Sequence, residues 1–212
     1  MNIIFKDCHS VKYFPTTSLI WDIELEGVDF NNYTTEILRN DIWTVKGNVN
    51  GRFECNNDST ILTELRDEIR NLKSQVLADV YNYDKAIFKE RWPAASLDFY
   101  QNNTAMTSSL IKDPPNLRMK GHLDHGSIIV QMIINLVDNP QGTDFYNPNT
   151  QIAPGRDSGQ LIYTSSGKQG KGVLFFNNSA AIHGMHTGDR DRYTLSSNIL
   201  MWPQQYAAAN RG

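Results

Sequence analysis

Two histidines, one aspartate and one arginine are the residues of this chain whose types could do chemistry together. His122 and Asp124 are two positions apart, His183 follows much later, and Arg192 lies nine residues beyond it. Two imidazoles and one carboxylate that leave positions open on an ion are the ligand set typical of non-haem Fe(II) sites. A guanidinium can bind a carboxylate through two parallel hydrogen bonds. These four residues therefore predict a metal site beside an anion site.

The segments around these residues support such a cluster. His122 and Asp124 would point to the same side of a strand, because side chains alternate between its two faces. His125 would then point away, which makes it a poorer ligand. An apolar run and a turn precede His183, so this imidazole would lie where a strand begins. A lone His-x-Asp arises often by chance, and the prediction therefore depends on the whole set.

The second half of the chain has the composition of short strands joined by turns. The β-prone runs are 96–100, 127–137, 159–165, 172–177 and 192–201. Several short strands with turn-rich joints favour a sandwich or barrel over a parallel α/β sheet. Two long connections, 101–121 and 138–158, are typical of lids or binding loops. Both lie next to the strands of the predicted metal site, which favours lids.

The first half contains the clearest helical stretch, residues 60–87. No Gly or Pro interrupts it, and apolar residues recur at intervals of three and four. This spacing predicts an amphipathic helix, or a broken pair, that lays one face on a sheet. Residues 1–57 look like short strands and loops. We therefore expect a single domain over 1–212, with N-terminal strands and a supporting helix in 1–94 and the strand-rich core in 95–202.

Polar side chains follow one face of two of the expected strands. Gln131 and Asn135 interrupt a strand that is otherwise apolar on both faces. Buried amides need hydrogen-bond partners, which either a polar ligand in a barrel or neighbouring side chains and buried water would provide. Thr194 shares the face of Arg192, so its hydroxyl could assist the guanidinium in holding an anion.

Composition narrows the class of protein. The chain of 212 residues is long enough for one domain with a sizeable core. Its net charge of -3 gives no general attraction to nucleic acid or to an anionic membrane, so we expect neither as a partner. The start has no basic segment followed by a long apolar one, and two cysteines make no disulfide framework. We therefore expect a cytoplasmic protein.

The order of the chemical residues resembles a known family. His-Leu-Asp at 122–124, then His183, then Arg-Tyr-Thr at 192–194 look like the His-x-Asp…His…Arg-x-Ser/Thr pattern of 2-oxoglutarate- and Fe(II)-dependent dioxygenases. The resemblance covers about half of the chain, residues 95–202. The Gly-Thr-Asp-Phe turn at 142–145 and Leu-Phe-Phe before the distal histidine are similar to the prolyl-hydroxylase-like branch.

The resemblance implies a fold, a set of cofactors and a role for each residue. The fold would be a double-stranded β-helix, a jelly-roll, cupin-like barrel that is mainly β with flanking helices. His122, Asp124 and His183 would bind Fe(II) and form the catalytic centre. Arg192, with Thr194 assisting, would pair with the distal carboxylate of 2-oxoglutarate. O₂ would be the second co-substrate, ascorbate an optional accessory, and succinate and CO₂ the products.

Two departures from the family pattern affect these assignments. Relatives in this branch often carry a Tyr on the strand after His-x-Asp, where this chain offers Gln131 and Asn135. We assign both to the co-substrate, with Tyr100 or Tyr163 as the alternative source of a phenol. Position 198 is Asn where repair dioxygenases carry a second Arg, and this disfavours an alkylated base as substrate.

The expected substrate is a peptidyl residue or a small molecule such as an amino acid. Asp124 argues for hydroxylation, because halogenating relatives carry a small residue at that position. The candidate substrate contacts are Tyr100, Phe145, Tyr146 and Arg156. Two alternatives stay open: a non-catalytic, cupin-like metal- or ligand-binding protein, and a cupin-type isomerase or other metal enzyme that does not use 2-oxoglutarate. Only the oxygenase needs the cation Arg192 to hold a dicarboxylate.

Overall fold

The computed structural model of the protein describes residues 1–13, 16–45, 51–55, 60–91, 96–150 and 159–201. It has two antiparallel sheets and a layer of helices packed on the larger sheet. The strands are β1 (Asn2–Tyr13), β2 (Thr16–Glu26), β3 (Trp43–Val45), β4 (Phe53–Cys55), β5 (Thr104–Asp113), β6 (Arg118–His122), β7 (Ile128–Asn135), β8 (Asp144–Tyr146), β9 (Leu161–Thr164), β10 (Lys171–Phe176), β11 (His183–His186) and β12 (Arg192–Met201). The helices are α1 (Phe30–Ile37), α2 (Thr60–Asn71), α3 (Lys73–Tyr83), α4 (Lys85–Arg91) and α5 (Leu97–Asn103).

Strands that are distant in the chain lie side by side in both sheets. The larger sheet has the order β1-β2-β10-β7-β12-β5-β4-β3, and the smaller sheet has the order β6-β11-β8-β9. The chain therefore crosses repeatedly between the two sheets, as a jelly roll requires. This arrangement confirms the predicted double-stranded β-helix.

The central strand β7 confirms the prediction of a strand covered on both faces. It lies between β10 and β12, and all but one of its residues are buried. Val130, Met132 and Ile134 belong to the core that the sheet shares with the helices. Side chains of the opposite parity, Gln131 and Ile133, line a cavity on the other side of the sheet.

The helical stretch predicted at 60–87 is divided into α2, α3 and the start of α4. Its buried apolar residues are Leu62, Leu65, Ile69, Val76, Leu77, Val80 and Ile87. Each fully buried side chain of this kind contributes about 1.5–3 kcal/mol relative to exposure. The breaks fall at Leu72, whose amide bonds to the Ile69 carbonyl, and at Asp84, whose backbone is extended. The stretch supports the sheet, as expected.

Two expectations about residues 96–121 are wrong. The segment 96–100 was expected to be a strand, but it begins α5, because the Ser96 hydroxyl caps the amide of Phe99 at 3.2 Å. The predicted loop 101–121 contains β5, which pairs with β12 along its whole length. Its polar residues are compatible with a strand because Ser108 and Ser197 satisfy each other across the pair, 2.9 Å apart.

The first strands extend the larger sheet rather than standing apart. β1 pairs with β2, and β2 pairs in turn with β10. β3 and β4 lie at the opposite edge, beside β5. The division at residues 94 and 95 stays a prediction. Within the described ranges, no helix is both long and apolar enough to cross a membrane.

Candidate metal and anion site

His122, Asp124 and His183 come together although 59 positions separate Asp124 from His183. His122 ends β6 and His183 begins β11, and the two residues are partners in the pairing of these strands. Asp124 lies in the loop after β6. Its Oδ1 is 3.6 Å from Nε2 of His122, and its Oδ2 is 3.5 Å from Nε2 of His183. One ligand atom from each residue lies within 4.8 Å of the others.

Backbone carbonyls fix the orientation of both imidazoles. Nδ1 of His122 is 3.0 Å from the carbonyl oxygen of Lys120, and Nδ1 of His183 is 3.0 Å from that of Ala181. A carbonyl only accepts, so each Nδ1 carries the proton and donates it. Each Nε2 is left with its lone pair toward Asp124. Metal-binding histidines are held in the same way by a partner on the second ring nitrogen.

Burial and neighbouring charges shift the pKa values of the three groups in different ways. Burial lowers the pKa of His183 to about 4, which keeps its imidazole neutral. The Asp124 carboxylate, which would accept from Nε2 of the protonated imidazole, raises the pKa of His122. Burial of Asp124 tends to raise its own pKa, but His122 and the charge of His183 outweigh this effect and lower it. At neutral pH the site therefore offers a carboxylate with a neutral imidazole beside it.

The donor set fits a divalent cation. Oδ2 of Asp124 is buried and, among the described residues, accepts no hydrogen bond. A buried acceptor without a partner costs about 1–3 kcal/mol, and an ion coordinated at this oxygen would remove that cost. Two imidazoles and one carboxylate that leave further positions open are the ligand set of non-haem Fe(II) sites.

Close packing of strands holds His183 next to His122. A Cβ atom at Gly184 would lie 2.5 Å from the carbonyl oxygen of Met119, so only glycine lets β11 approach β6 this closely. The rings of Phe145 and Phe175 pack beside the His183 imidazole, with centroids 6.2 Å and 4.8 Å away. Phe145 is fully buried, and here it acts as a wall for the imidazole.

Arg192 lies beside a buried carboxylate that the sequence analysis missed. It begins β12 directly opposite Asp113, the last residue of β5. Its Nη1 donates to Oδ2 of Asp113 at 3.3 Å, and its Nη2 donates to the hydroxyl of Thr143 at 3.2 Å. Burial lowers the pKa of Arg192, whereas the charge of Asp113 acts to raise it. Nε of Arg192 is buried and, within the described residues, has no acceptor.

A second arginine completes this charged group. Nε of Arg52 donates to Oδ1 of Asp113 at 2.5 Å, and its Nη2 donates to Oδ2 at 3.0 Å. Arg52, Asp113 and Thr143 were not singled out from the sequence. Arg52 directly precedes the short strand β4, and Asp113 falls in the segment expected to be a loop. Thr143 belongs to the turn at 142–145, whose resemblance to the prolyl-hydroxylase-like branch was the one sequence signal that could have pointed to this residue.

One cavity of about 70 Å³ joins the metal triad to the arginines. It is lined by Arg52, Ile111, Met119, His122, Asp124, Gln131, Ile133, Thr143, His183, Gly184, Met185, Arg192, Thr194 and Ser196. The structure therefore brings together the three predicted ligands, Arg192, Thr194 and Gln131. Gln131 approaches Asp124 closely enough to lower its pKa, so this amide lies at the metal end of the cavity.

Asn135 does not line this cavity. Its amide nitrogen donates to the carbonyl oxygens of Ser166 and Lys171 at 2.7 and 2.8 Å. Its amide oxygen accepts from Asn139 at 2.8 Å. These bonds tie β7 to the chain around β10, so the expected role of Asn135 in holding the co-substrate is replaced by a structural one.

The predicted substrate contacts are scattered. Tyr100 is buried in the helix layer, where its hydroxyl donates to the carbonyl oxygen of Phe88 at 3.3 Å, so it is not at the site. Tyr146 lies on β8, and its hydroxyl donates to Asp144 at 3.4 Å. Arg156 lies outside the described residues.

A larger cavity of about 350 Å³ begins on another side of Asp124. Its lining residues are Thr16, Ile87, Leu123, Asp124, Gly126, Phe176, Asn177, Asn178 and Ser179. Apart from Asp124, these residues carry no formal charge. Leu123, between the two predicted ligands, is 47% exposed. The carboxylate thus separates a small polar cavity from a larger and mostly neutral one.

Comparison with known proteins identifies the fold. A scan against models of known protein families gave no match, and a search of curated proteins found no relative. Solved structures do match. A prolyl hydroxylase from Trichoplax adhaerens, in complex with a peptide fragment of the hypoxia inducible factor oxygen degradation domain, is similar at a TM-score of 0.55 and 12% identity, over 89% of this chain and 86% of that one.

HygX from Streptomyces hygroscopicus, solved with nickel and 2-oxoglutarate bound, is similar at a TM-score of 0.50 and 10% identity. That match covers 86% of this chain and 82% of the other. At these identities the likeness establishes that the chain has the double-stranded β-helix fold found in these proteins. Fold alone does not fix function, so the chemistry of this chain depends on its own residues.

Proposed function

We propose that the protein is an Fe(II)- and 2-oxoglutarate-dependent oxygenase that hydroxylates a peptidyl residue or a small molecule such as an amino acid, with release of succinate and CO₂. The observation that carries the proposal is a single cavity with a His-Asp-His cluster at one end and a buried arginine at the other. The first can hold the metal, and the second can hold the carboxylate of a keto acid that reaches the metal.

In this proposal His122, Asp124 and His183 hold Fe(II). Fe(II), when bound, would couple the activation of O₂ to the oxidative decarboxylation of 2-oxoglutarate. The protein contributes the orientation of its ligands: the Lys120 and Ala181 carbonyls hold the proton of each neutral imidazole on Nδ1, which leaves Nε2 as the coordinating atom. Asp124 supplies a carboxylate rather than the small residue of halogenating relatives, which favours hydroxylation.

Arg192 holds the distal carboxylate of 2-oxoglutarate, and Thr143 and Thr194 lie beside it. The hydroxyl of Thr143 fixes Nη2 of the guanidinium, so the cation is oriented before the ligand arrives. Thr194 is buried and lines the same cavity. Ile111 and Ile133 also line this cavity, and apolar side chains beside the guanidinium lower the local dielectric constant and strengthen its attraction for an anion.

The larger cavity of about 350 Å³ is our proposed place for the substrate. It reaches Asp124 from a side different from the cavity that holds the keto acid. Its size lies within the usual range for ligand cavities, roughly 300–1,000 Å³. Its neutral lining suits an uncharged aliphatic or amide-containing group, such as a residue within a peptide.

The first experiment measures co-substrate binding and turnover together. Anaerobic addition of Fe(II) and 2-oxoglutarate should produce the weak visible charge-transfer band of a chelated keto acid. Admission of O₂ with candidate peptides and amino acids should then release succinate. Omission of 2-oxoglutarate, and the variant His183→Ala, serve as controls. If the wild-type protein showed no band and released no succinate, the proposal would be refuted.

One observation favours a second candidate, a cupin-like protein that binds a metal or ligand without turnover. Asp113 already pairs with Arg192, as it would if the arginine were only structural. A metal that binds at the triad while 2-oxoglutarate and its analogues do not would select this candidate. Metal-dependent isomerisation of a substrate without succinate release would select a cupin-type isomerase.

A further inference from the structure

Asp113 is the fully buried link between two arginines. Its side chain is 0% exposed, that of Arg192 is 2% exposed and that of Arg52 is 17% exposed. Arg52 contacts both carboxylate oxygens, whereas Arg192 contacts only Oδ2. Both arginines line the cavity that reaches the metal triad, and Asp113 is not among the lining residues. The carboxylate thus lies behind the cavity wall and the two cations form part of that wall.

The sum of charges in this group decides whether it attracts an anion. Arg192 and Asp113 alone would cancel, and a second carboxylate brought to Arg192 would be repelled by the first. At low dielectric such repulsion is strong, and an unpaired buried charge is costly. With Arg52 included, these three side chains carry one net positive charge. Asp144 is a weaker acidic neighbour of Arg192, and its carboxylate accepts from Tyr146 and Thr164. Arg52 therefore supplies the excess charge on which anion binding depends.

The hydrogen-bond pattern indicates that an acceptor is still missing. Nη1 of Arg192 is engaged by Asp113 and Nη2 by Thr143. Nε is buried with no acceptor among the described residues. Leaving such a donor unpaired costs about 1–3 kcal/mol. A ligand oxygen in the cavity would satisfy it.

We propose that Arg52 is a positioning residue that neutralises Asp113 and so keeps Arg192 available as a net cation for a dicarboxylate. The proposal rests on the proposed function for the identity of that dicarboxylate as 2-oxoglutarate. Arg52 acts through Asp113, because its Nε and Nη2 are both bound there. Its effect is to select a keto acid with a second carboxylate over one without.

The test removes the two charges separately and together. The variants are Arg52→Gln, Asp113→Asn and the double variant, with Arg190→Gln, an exposed arginine in a turn, as the control. Binding of 2-oxoglutarate and of the monocarboxylate 2-oxobutanoate to the Zn(II)-loaded protein is measured by calorimetry, and Zn(II) affinity and thermal midpoint are recorded. Zn(II) prevents turnover, so the readout is affinity alone.

Arg52→Gln should weaken the binding of 2-oxoglutarate at least tenfold, because Asp113 then cancels the charge of Arg192 and repels a second carboxylate. The affinities for 2-oxobutanoate and Zn(II) should change by less than about threefold. Arg52→Gln with Asp113→Asn should restore 2-oxoglutarate to within about threefold of wild type. Asp113→Asn alone leaves two cations and should bind 2-oxoglutarate at least as tightly as wild type. The Arg190→Gln control should bind like wild type.

Several outcomes overturn the proposal. Unchanged 2-oxoglutarate affinity in Arg52→Gln would do so, as would a double variant as weak as the single one, since Arg52 would then act directly on the ligand or on the fold. If Arg52→Gln fails to fold, Asp113→Asn and the double variant decide, because neither contains the buried carboxylate of Asp113. Weaker binding of 2-oxoglutarate by Asp113→Asn would also overturn it.

A panel of plain dicarboxylates separates this proposal from the proposed function. Glutarate and succinate need the cation but undergo no decarboxylation. Wild-type protein that binds glutarate in an Arg52-dependent way but releases no succinate from 2-oxoglutarate would refute the oxygenase and support the role of Arg52. If the protein released succinate but its affinity for 2-oxoglutarate did not depend on Arg52, the oxygenase would be supported and the role of Arg52 refuted.

Discussion

The metal end and the anion end of the cavity are built in opposite ways. At the metal end, two imidazoles and a carboxylate approach one another, yet Oδ2 of Asp124 accepts no hydrogen bond from the described residues and the His122 side chain is 35% exposed. At the anion end, Arg192 and Asp113 are almost completely buried, and Arg52 and Thr143 hold them on the remaining sides.

This difference follows from what each end can tolerate before its ligand arrives. A metal ligand must keep a lone pair free, so extra hydrogen bonds would compete with the ion. A buried guanidinium without a counter-charge would cost several kcal/mol, so it needs a partner in the protein itself. The metal end therefore keeps its lone pairs free, whereas the protein itself balances most of the charge at the anion end. Nε of Arg192 and one net positive charge are left there for a ligand.

The largest expected effect is the loss of the buried imidazole at the metal end. His183→Ala leaves one imidazole and one carboxylate, and we expect Fe(II)-dependent succinate release to fall at least about 1,000-fold. Equilibrium Fe(II) binding and succinate formation measure this. His125→Ala is the matched control, because His125 bonds to Ser127 outside the triad, and it should retain activity. Equal losses in both variants would show that the histidines act only through the fold.

Removal of the guanidinium should affect only the anion end. Arg192→Gln leaves Asp113 paired with Arg52, so the protein should fold and bind the metal as before. We expect about 100-fold weaker 2-oxoglutarate binding, equivalent to about 2.7 kcal/mol. Calorimetry with the Zn(II)-loaded protein tests this. A parallel loss of Zn(II) affinity would contradict the independence of the two ends.

A change of pH should distinguish the ends without any substitution. His122 has a raised pKa, so its proton competes with a metal ion as pH falls through that value, which lies above 6.5. Metal affinity should therefore decrease from pH 8 to pH 6. Arginines stay protonated over this range, so the binding of glutarate should hardly change. Metal titrations at pH 6, 7 and 8 test the sign, and a metal affinity that rises toward pH 6 would contradict it.

The smallest expected effect concerns the orientation of the guanidinium. Thr143→Val removes the hydroxyl that accepts from Nη2 of Arg192 and leaves that donor buried without a partner. We expect 2-oxoglutarate to bind about three- to tenfold more weakly, which corresponds to the loss of one hydrogen bond to a charged group. Thr44→Val, at an exposed position on β3, is the control. An unchanged affinity would mean that Asp113 alone orients Arg192.

Regular periodicity made part of the fold predictable. The strands β7, β10 and β12 carry their patterns over many residues and form as expected. The stretch from residue 60 is helical as expected, but it forms three helices instead of one helix or a broken pair. Segment 101–121 does not, because its serines and threonines look like a loop until a partner strand supplies hydroxyls opposite them. The bond between Ser108 and Ser197 depends on the register of β5 with β12, which no local pattern encodes.

The candidate site also contains residues that the sequence predicted and residues that it did not. The ligand types His122, Asp124 and His183 were predictable, since their chemistry and order are distinctive and each follows or begins an apolar run. The structure does not bring Asn135 and Tyr100 to this cavity. Each side chain was assigned by residue type, and each is committed to a hydrogen bond with a segment that is remote in the chain.

The amino-acid sequence by itself determined which atoms can coordinate a metal and which cation can meet a keto acid, because these properties belong to single side chains. Only the tertiary structure decided the charge of the anion end, where Arg52, Asp113 and Arg192 come from three separate segments. Electrostatic energy depends on distance and burial rather than on residue identity. The balance of one carboxylate between two guanidinium groups therefore arises only when β12 pairs with β5 and β4 closes beside them.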